Sequence, residues 1–192
     1  MPFTYTFIPN FLSKKECDEI LNFSFDNLEL TAAEIINDKV DGIDNNVRKS
    51  NIVFYPYYKK FPFLLEKITK LLKENIDVKG FDLDYEHSQF QFTEYHTGDF
   101  FNWHVDVYGD KITEFKRYCS IVIQLNEDYD NGDLEIKTTD NKTLQIEKGA
   151  GNLIIFLSSM EHRVTTITNG DRYTLVNWVG LKEKINHKKT LL

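Results

Sequence analysis

Cysteine is scarce. Only Cys17 and Cys119 occur in 192 residues, far apart in sequence. Neither sits in a spacing that suits a zinc site, so both are expected to be reduced, buried thiols. No apolar run approaches the length of a membrane span. Residues 1–10 lack a basic stretch followed by an apolar one, so no secretory leader is expected and a reducing cytoplasm is the default location. An excess of basic charge is missing too, since the net charge is −7. A broad phosphate-binding surface needs clustered Lys and Arg, so nucleic acid is not an expected partner, and neither is a membrane. Repeats, low-complexity tracts and Pro/Gly-rich linkers are absent, and a single domain over 1–192 is expected. What the chain has in quantity is apolar and aromatic surface, at 41% and 14% with fifteen Phe and ten Tyr. That is ample for a core without a disulfide or zinc staple.

Helix signals fill the first third. Ser13-Lys14-Lys15-Glu16 has the form of a capping box, a serine oxygen for one orphan backbone donor and a glutamate three residues on. Cys17, Ile20, Leu21, Phe25 and Leu28 then trace one helical face. A second helix is predicted from Pro62 to near Asn75, with Leu64, Leu65, Ile68, Leu71 and Leu72 as its apolar positions. Between the two, Val47 to Tyr55 reads as a strand. From Phe81 the texture changes to short Ile/Val/Thr/Tyr/Phe-rich segments. Strands are predicted near 88–95, 100–106, 117–125, 133–138, 142–147, 152–157, 161–167 and 171–179. Asn131-Gly132, Asp140-Asn141, Gly149-Ala150-Gly151 and Asn169-Gly170 punctuate them. Such strands with no helices interleaved predict a mainly β, α+β chain. It would have a helical flank over about 1–80, a sandwich or jelly-roll core over about 81–180 and a short basic tail over 181–192.

Within that core, Trp103-His104-Val105-Asp106 is the first chemical signal. Residues two apart on a strand share a face, so an imidazole and a carboxylate would project together. With five histidines and sixteen aspartates in the chain, roughly 0.4 such pairs arise by chance, so the pair needs context. His162 supplies it, following the apolar strand Leu153 to Leu157 and opening another. Two histidines and a carboxylate on one face of a metal leave open positions, the facial triad of non-haem Fe(II) oxygenases. Ten residues on, Arg172 lies in an apolar strand with Tyr173, Leu175, Val176 and Trp178. A buried guanidinium calls for an anion. A bound dicarboxylate fits its planar fork, and a protein Asp or Glu is the alternative.

The stretch Tyr95-His96-Thr97-Gly98, followed by His104 and Asp106, resembles the metal-binding stretch of prolyl 4-hydroxylase-like enzymes, particularly PKHD-type hydroxylases. The resemblance continues through Arg117, Gln124-Leu125-Asn126, Asn131-Gly132-Asp133-Leu134, Lys148-Gly149 to Phe156, His162, Arg172 and Trp178. The opening Phe7-Ile8-Pro9-Asn10-Phe11-Leu12-Ser13, with Glu16 and Cys17, is similar as well. The resemblance implies a double-stranded β-helix, the cupin-like jelly roll. It implies that His104, Asp106 and His162 hold Fe(II) and that Arg172 binds the distal carboxylate of 2-oxoglutarate with help from Tyr95 and Gln124. Trp178 would close the cofactor pocket and Arg117 would sit at the substrate mouth. Related enzymes often carry tyrosine where this chain has Gln124. Glu147 replaces a usual proline and Asp133 a usual glycine, at turns or strand edges.

The implied reaction consumes O2 and 2-oxoglutarate, gives succinate and CO2, and hydroxylates a C–H bond, with ascorbate as an accessory reductant. Halogenating relatives vacate the carboxylate corner for a halide, so Asp106 favours hydroxylation. The implied substrate is a prolyl residue in a peptide or protein. A free amino acid or other small molecule is the alternative, and a non-catalytic metal-binding jelly roll used for recognition is another. Nucleic-acid dealkylation by the same chemistry is disfavoured by the acidic charge and by the lack of a series of arginines after His162, where only Arg163 and Arg172 follow.

Other features have plainer readings. Asp128, Asp130 and Asp133 miss the calcium-loop spacing and read as an acidic turn. His96 lies near the proposed site and reads as a solvated loop histidine, with a supporting or substrate role there as the alternative, and His87 and His187 have no evident partners. Lys182, Lys184, Lys188 and Lys189 read as a frayed C-terminus. Tyr55, Tyr57, Tyr58, Phe61 and Phe63 could line a peptide groove, but such a cluster is more often core or helix-packing surface.

Overall fold

The structure is a computed structural model, and it describes residues 3–36, 41–76, 81–84, 89–107 and 117–183. His87, His187, Lys184, Lys188 and Lys189 lie outside the described residues. In chain order come β1 (Tyr5–Ile8), α1 (Lys14–Asn27), β2 (Thr31–Ala32), β3 (Ile35–Ile36), β4 (Asp41–Gly42), β5 (Arg48–Lys49) and β6 (Asn51–Tyr55). Next are α2 (Tyr57–Lys60), α3 (Pro62–Asn75), β7 (Phe81–Asp84), β8 (Phe90–Tyr95), β9 (Phe100–His104), β10 (Arg117–Gln124) and β11 (Tyr129–Asn131). The last are β12 (Leu134–Lys137), β13 (Thr143–Gln145), β14 (Leu153–Leu157), β15 (His162–Val164), β16 (Ile167–Gly170) and β17 (Arg172–Glu183).

Helix α1 begins at the predicted box. The Glu16 amide donates to Ser13 Oγ at 3.2 Å and the Ser13 amide to Glu16 Oε2 at 2.8 Å. Of the predicted face Cys17 and Ile20 are buried and Leu21 and Leu28 pack against the core, while Phe25 is 49% exposed and Ser24 is buried in addition. The polar Ser24 is accommodated because its hydroxyl donates to the Ile20 carbonyl and shares a 2.6 Å hydrogen bond with the hydroxyl of Tyr57. Tyr57 and Phe61 are core residues and do not line a groove. Leu64, Ile68, Leu71 and Leu72 of α3 join them against one sheet, while Leu65 faces outward.

Among the described residues, the larger sheet runs β1-β14-β10-β17-β8-β6-β2, with β7 also pairing β17. The smaller runs β13-β12-β15-β9-β5. Successive strands β8, β9, β10, β12, β14, β15 and β17 pass back and forth between the two sheets, apart from the small hairpin partner β13 and the β11–β16 pair. That crossing pattern is the jelly roll. The period of two then sorts each strand of the large sheet. Phe90, Phe92, Ile121, Ile123, Leu153, Ile155, Leu175 and Val179 pack under the helices. Tyr95, Val122, Ile154, Phe156 and Val176 turn inward to meet Leu134, Ile136 and Val164 of the small sheet. Arg172 and Trp178 share the inward parity of Val176.

Several boundaries differ from the sequence reading. The strand expected over Val47 to Tyr55 breaks at Ser50, so that β5 joins the small sheet and β6 the large one. The strand expected over 161–167 ends at Val164, and β16 pairs with β11, two strands the sequence reading did not anticipate. Lys182 is not frayed but lies in β17, its backbone in register with that of Asp82 on β7. The loop before β14 is fixed by a backbone approach: Leu12 N donates to the Gly151 carbonyl at 3.1 Å, and a Cβ on Gly151 (φ +87) would sit 1.9 Å from the Leu12 carbonyl oxygen. Gly151→Ala is therefore expected to cost about 3 kcal/mol, the range of backbone clashes at positive φ. Urea denaturation midpoints of the two proteins check this.

Candidate active site

His104 closes β9 and His162 opens β15, and the two are direct register partners. Each Nδ1 lies against the carbonyl two residues back, His104 on Asn102 at 2.8 Å and His162 on Met160 at 3.0 Å. A carbonyl can only accept, so both Nδ1 atoms carry a proton and both Nε2 atoms are left on the side where a metal would sit. They face Asp106, with His162 Nε2 at 3.4 Å from Oδ2 and His104 Nε2 at 3.7 Å from Oδ1. One ligand atom from each of the three lies within 4.8 Å of the others. Asp106 is not on the strand, as the sequence reading had it. It lies beyond the end of β9, where its amide donates to the Ser158 carbonyl at 2.8 Å. Its Oδ2 accepts from Ser120 Oγ at 2.8 Å and from Trp178 Nε1 at 2.9 Å. Burial pushes this carboxyl up, but His162, His104 and the Trp178 donor outweigh burial and hold it well below the usual carboxylate range. Burial, helped by His162, pushes His104 down to about 3. The apo protein thus presents a neutral imidazole and a carboxylate at neutral pH, the protonation state in which both can ligate a metal.

Arg172 opens β17 opposite Tyr95 on β8. It is 2% exposed, its Nε has no hydrogen-bond partner, and its guanidinium carbon lies 5.3 Å from the centre of the Tyr95 ring. Among the described residues no Asp or Glu pairs with it, so the protein-carboxylate alternative finds no support. Gln124 is otherwise engaged. Its Nε2 donates to the Glu147 carbonyl at 2.9 Å and its Oε1 accepts from the Gly149 amide at 3.4 Å, so its amide braces a turn. Trp178 lies against Asp106, and Arg117 stacks on its ring, guanidinium carbon 3.7 Å from the centre.

Residues 90–180 match the profile of the 2OG-Fe(II) oxygenase superfamily. Over this stretch, just under half of the chain, it is similar to that superfamily. A PKHD-type hydroxylase of Hyphomonas neptunium is 36% identical over 86 residues, covering 43% of this chain and 38% of that protein. One from Prochlorococcus marinus is 28% identical over 156 residues, 80% of this chain and 69% of that protein. The chain thus spans well under half of the first relative and about two thirds of the second. In fold it is similar to a prolyl hydroxylase of Trichoplax adhaerens in complex with a hypoxia inducible factor peptide fragment. The TM-score there is 0.74 at 16% identity, covering 92% of this chain and 83% of that one.

Similarity to the 2OG-Fe(II) oxygenase superfamily implies Fe(II), 2-oxoglutarate and O2, and the residues present fit the first two. Two imidazole nitrogens and a carboxylate form a borderline-hard donor set, and the buried Nε of Arg172 lacks an acceptor. Other parts of this site have little signal of their own in the sequence. Ser120 on β10 and Ser158 in the turn after β14, their hydroxyls 3.0 Å apart, brace Asp106 from elsewhere in the chain. Arg48, 7% exposed, lies over Phe101 at 4.6 Å, and Phe101 stacks on His104 with centroids 3.5 Å apart. A charged residue inside the strand-like Val47 to Tyr55 run was the one available signal for Arg48. His96 is exposed as expected but not unpaired: both ring nitrogens meet carboxylates, those of Glu94 and Asp171.

Proposed function

We propose that the protein is a 2-oxoglutarate- and O2-dependent hydroxylase acting on a prolyl residue of a peptide or protein. The observation that carries this reading is a His-Asp-His cluster sharing one interior with a buried guanidinium that lacks a partner on Nε. His104, Asp106 and His162 would hold Fe(II), and Arg172, backed by Tyr95, would hold the distal carboxylate of 2-oxoglutarate. When bound, iron and 2-oxoglutarate supply the oxidising chemistry, in which decarboxylation to succinate and CO2 accompanies hydroxylation of a C–H bond. The chain's own residues set the stage. The carbonyls of Asn102 and Met160 fix both imidazole tautomers. Ser120 and Trp178 hold the carboxylate in one orientation. Phe156, against the His162 ring at 4.7 Å, and Phe101, against His104, keep an apolar wall on the inner side.

The substrate half of the reading draws on the relatives: PKHD-type hydroxylases in sequence and, in fold, a prolyl hydroxylase holding a peptide. Arg117 on Trp178, with the exposed ring of Phe54 6.3 Å from Trp178, offers a flat, cationic edge on which a peptide could lie. Anaerobic titration of the Fe(II)-loaded protein with 2-oxoglutarate is expected to give the weak visible charge-transfer band of a chelated keto acid. His104→Ala should abolish the band and Arg172→Ala weaken it. Iron bound without a band would leave a non-catalytic metal site. For the substrate, proline-containing peptides are expected to raise succinate formation above the peptide-free rate. Stimulation by free L-proline but by no peptide would move the reading to a small-molecule hydroxylase.

A further inference from the structure

His96 is held from two sides. It follows Tyr95 at the end of β8, with Nδ1 2.8 Å from Asp171 Oδ1 and Nε2 3.0 Å from Glu94 Oε2. A carboxylate only accepts, and a neutral imidazole carries a single N–H. Both contacts are therefore hydrogen bonds only when the ring is an imidazolium. Its position in the sheet gives the pairing a consequence. Tyr95 and Arg172 are register partners across β8 and β17. His96 comes directly after the first and Asp171 directly before the second, so the ring fastens together the two residues that flank the Arg172–Tyr95 pair. Arg172 has no partner on Nε to aim it, which leaves its orientation to the backbone and to Tyr95.

We propose that His96 is a positioning residue for the co-substrate: as an imidazolium it ties the end of β8 to the start of β17 and so holds Arg172 ready for the distal carboxylate of 2-oxoglutarate. The inference rests on the reading of Arg172 given above. The charged and titratable groups around the ring are Glu94 on its own strand, Asp171 ahead of β17, and Asp99. Asp99 accepts from the His96 amide at 3.0 Å through Oδ2 and pairs with Lys49 of β5 at 2.8 Å through Oδ1. Tyr173 donates to the other oxygen of Asp171 at 3.4 Å. The Asp171 hydrogen bond, then Glu94 and Asp99, raise the His96 pKa above 6.5 against a smaller opposing effect of burial. The clamp is thus fully formed below that ordinary value and is lost as pH rises through the raised one. Reciprocity requires that 2-oxoglutarate, if favoured by the clamp, raise the pKa of His96 in turn.

The test is calorimetric titration of the full-length, Zn(II)-loaded protein with 2-oxoglutarate from about pH 6 to about pH 9, with His96→Gln and Asp171→Asn beside the parent. The ring is half exposed, so the expected gap is modest: the parent binds about two- to fivefold tighter than His96→Gln at the acid end, and the gap closes at the alkaline end. Asp171→Asn should reproduce the gap and add nothing to His96→Gln. The imidazole resonances of His96 should titrate at higher pH with 2-oxoglutarate present. A gap that does not change with pH, additive variants, or an unmoved His96 titration each overturn the clamp while leaving Arg172 as the carboxylate site. If the parent binds no 2-oxoglutarate at any pH, the Arg172 reading falls and the clamp falls with it.

Discussion

Arg172→Leu is expected to bind Fe(II) as the parent does, to lose 2-oxoglutarate affinity by about 100- to 1000-fold, and yet to be no less stable without ligand. The three expectations have one cause. Arg172 is among the largest fully buried side chains, at 2% exposure, and its Nε has no acceptor. In the free protein a charge is held out of water with little in return, and an apolar side chain of similar bulk relieves that penalty. Once a carboxylate enters, the account reverses, because a charge-assisted pair in a dry site is strong and its loss leaves the incoming anion unpaired. Metal binding should not change, since none of the triad's hydrogen bonds involves Arg172. Thermal denaturation with and without 2-oxoglutarate, metal present throughout, reads both halves. The parent should gain about 2.7 kcal/mol at a hundredfold excess over its dissociation constant, and the variant at the same concentration no more than about 0.4 kcal/mol. A Leu variant that melts well below the parent but still responds to 2-oxoglutarate would make the guanidinium a structural group.

Much of this site was legible in the sequence because its signals are short and local. His104 and Asp106 lie two residues apart, His162 opens a strand after an apolar run, and Arg172 is a charge inside an apolar segment. The jelly roll was legible for the same reason, as a succession of short strands separated by Gly and Asn turns. What the sequence concealed depends on residues brought together from far apart. Trp178 and Ser120 stand 72 and 14 residues from the carboxylate they hold, and no pattern in either neighbourhood points to the other. Gln124 looked like a pocket residue by its place in the motif, but its amide is taken up by a turn whose approach only the fold determines. The break at Ser50 was hidden because Val47 to Tyr55 keeps strand-like composition while passing from one sheet to the other. Ser24 is buried on the first helix because a tyrosine hydroxyl 33 residues away supplies the partner that lets a serine be buried. His96 was read as solvated for want of a visible partner, and one of its two partners lies 75 residues on.

Asp106→Ala and Asp106→Asn are expected to separate the two tasks of the carboxylate. In the first, metal affinity should fall by at least about 100-fold, since even losing the groups that orient a ligand costs 10- to 100-fold. Stability should fall as well. Trp178 Nε1 is left as a buried donor without its acceptor, and Ser120 keeps only Ser158. An orphaned buried donor costs about 1–3 kcal/mol. Asparagine keeps an oxygen where Trp178 donates, so the metal-free Asn variant should recover most of that loss. It should recover little metal affinity, because a neutral amide is a poor third ligand beside two neutral imidazoles. Metal binding followed by competition with a chelator, together with urea denaturation of the metal-free proteins, distinguishes the variants. If both keep parental metal affinity, the metal is not held by this triad, and the Fe(II) role proposed for His104 and His162 fails with it. If Asn loses as much stability as Ala, the Trp178 hydrogen bond contributes little, and the orientation of the carboxylate rests on Ser120 and on the amide of Asp106 bound to the Ser158 carbonyl.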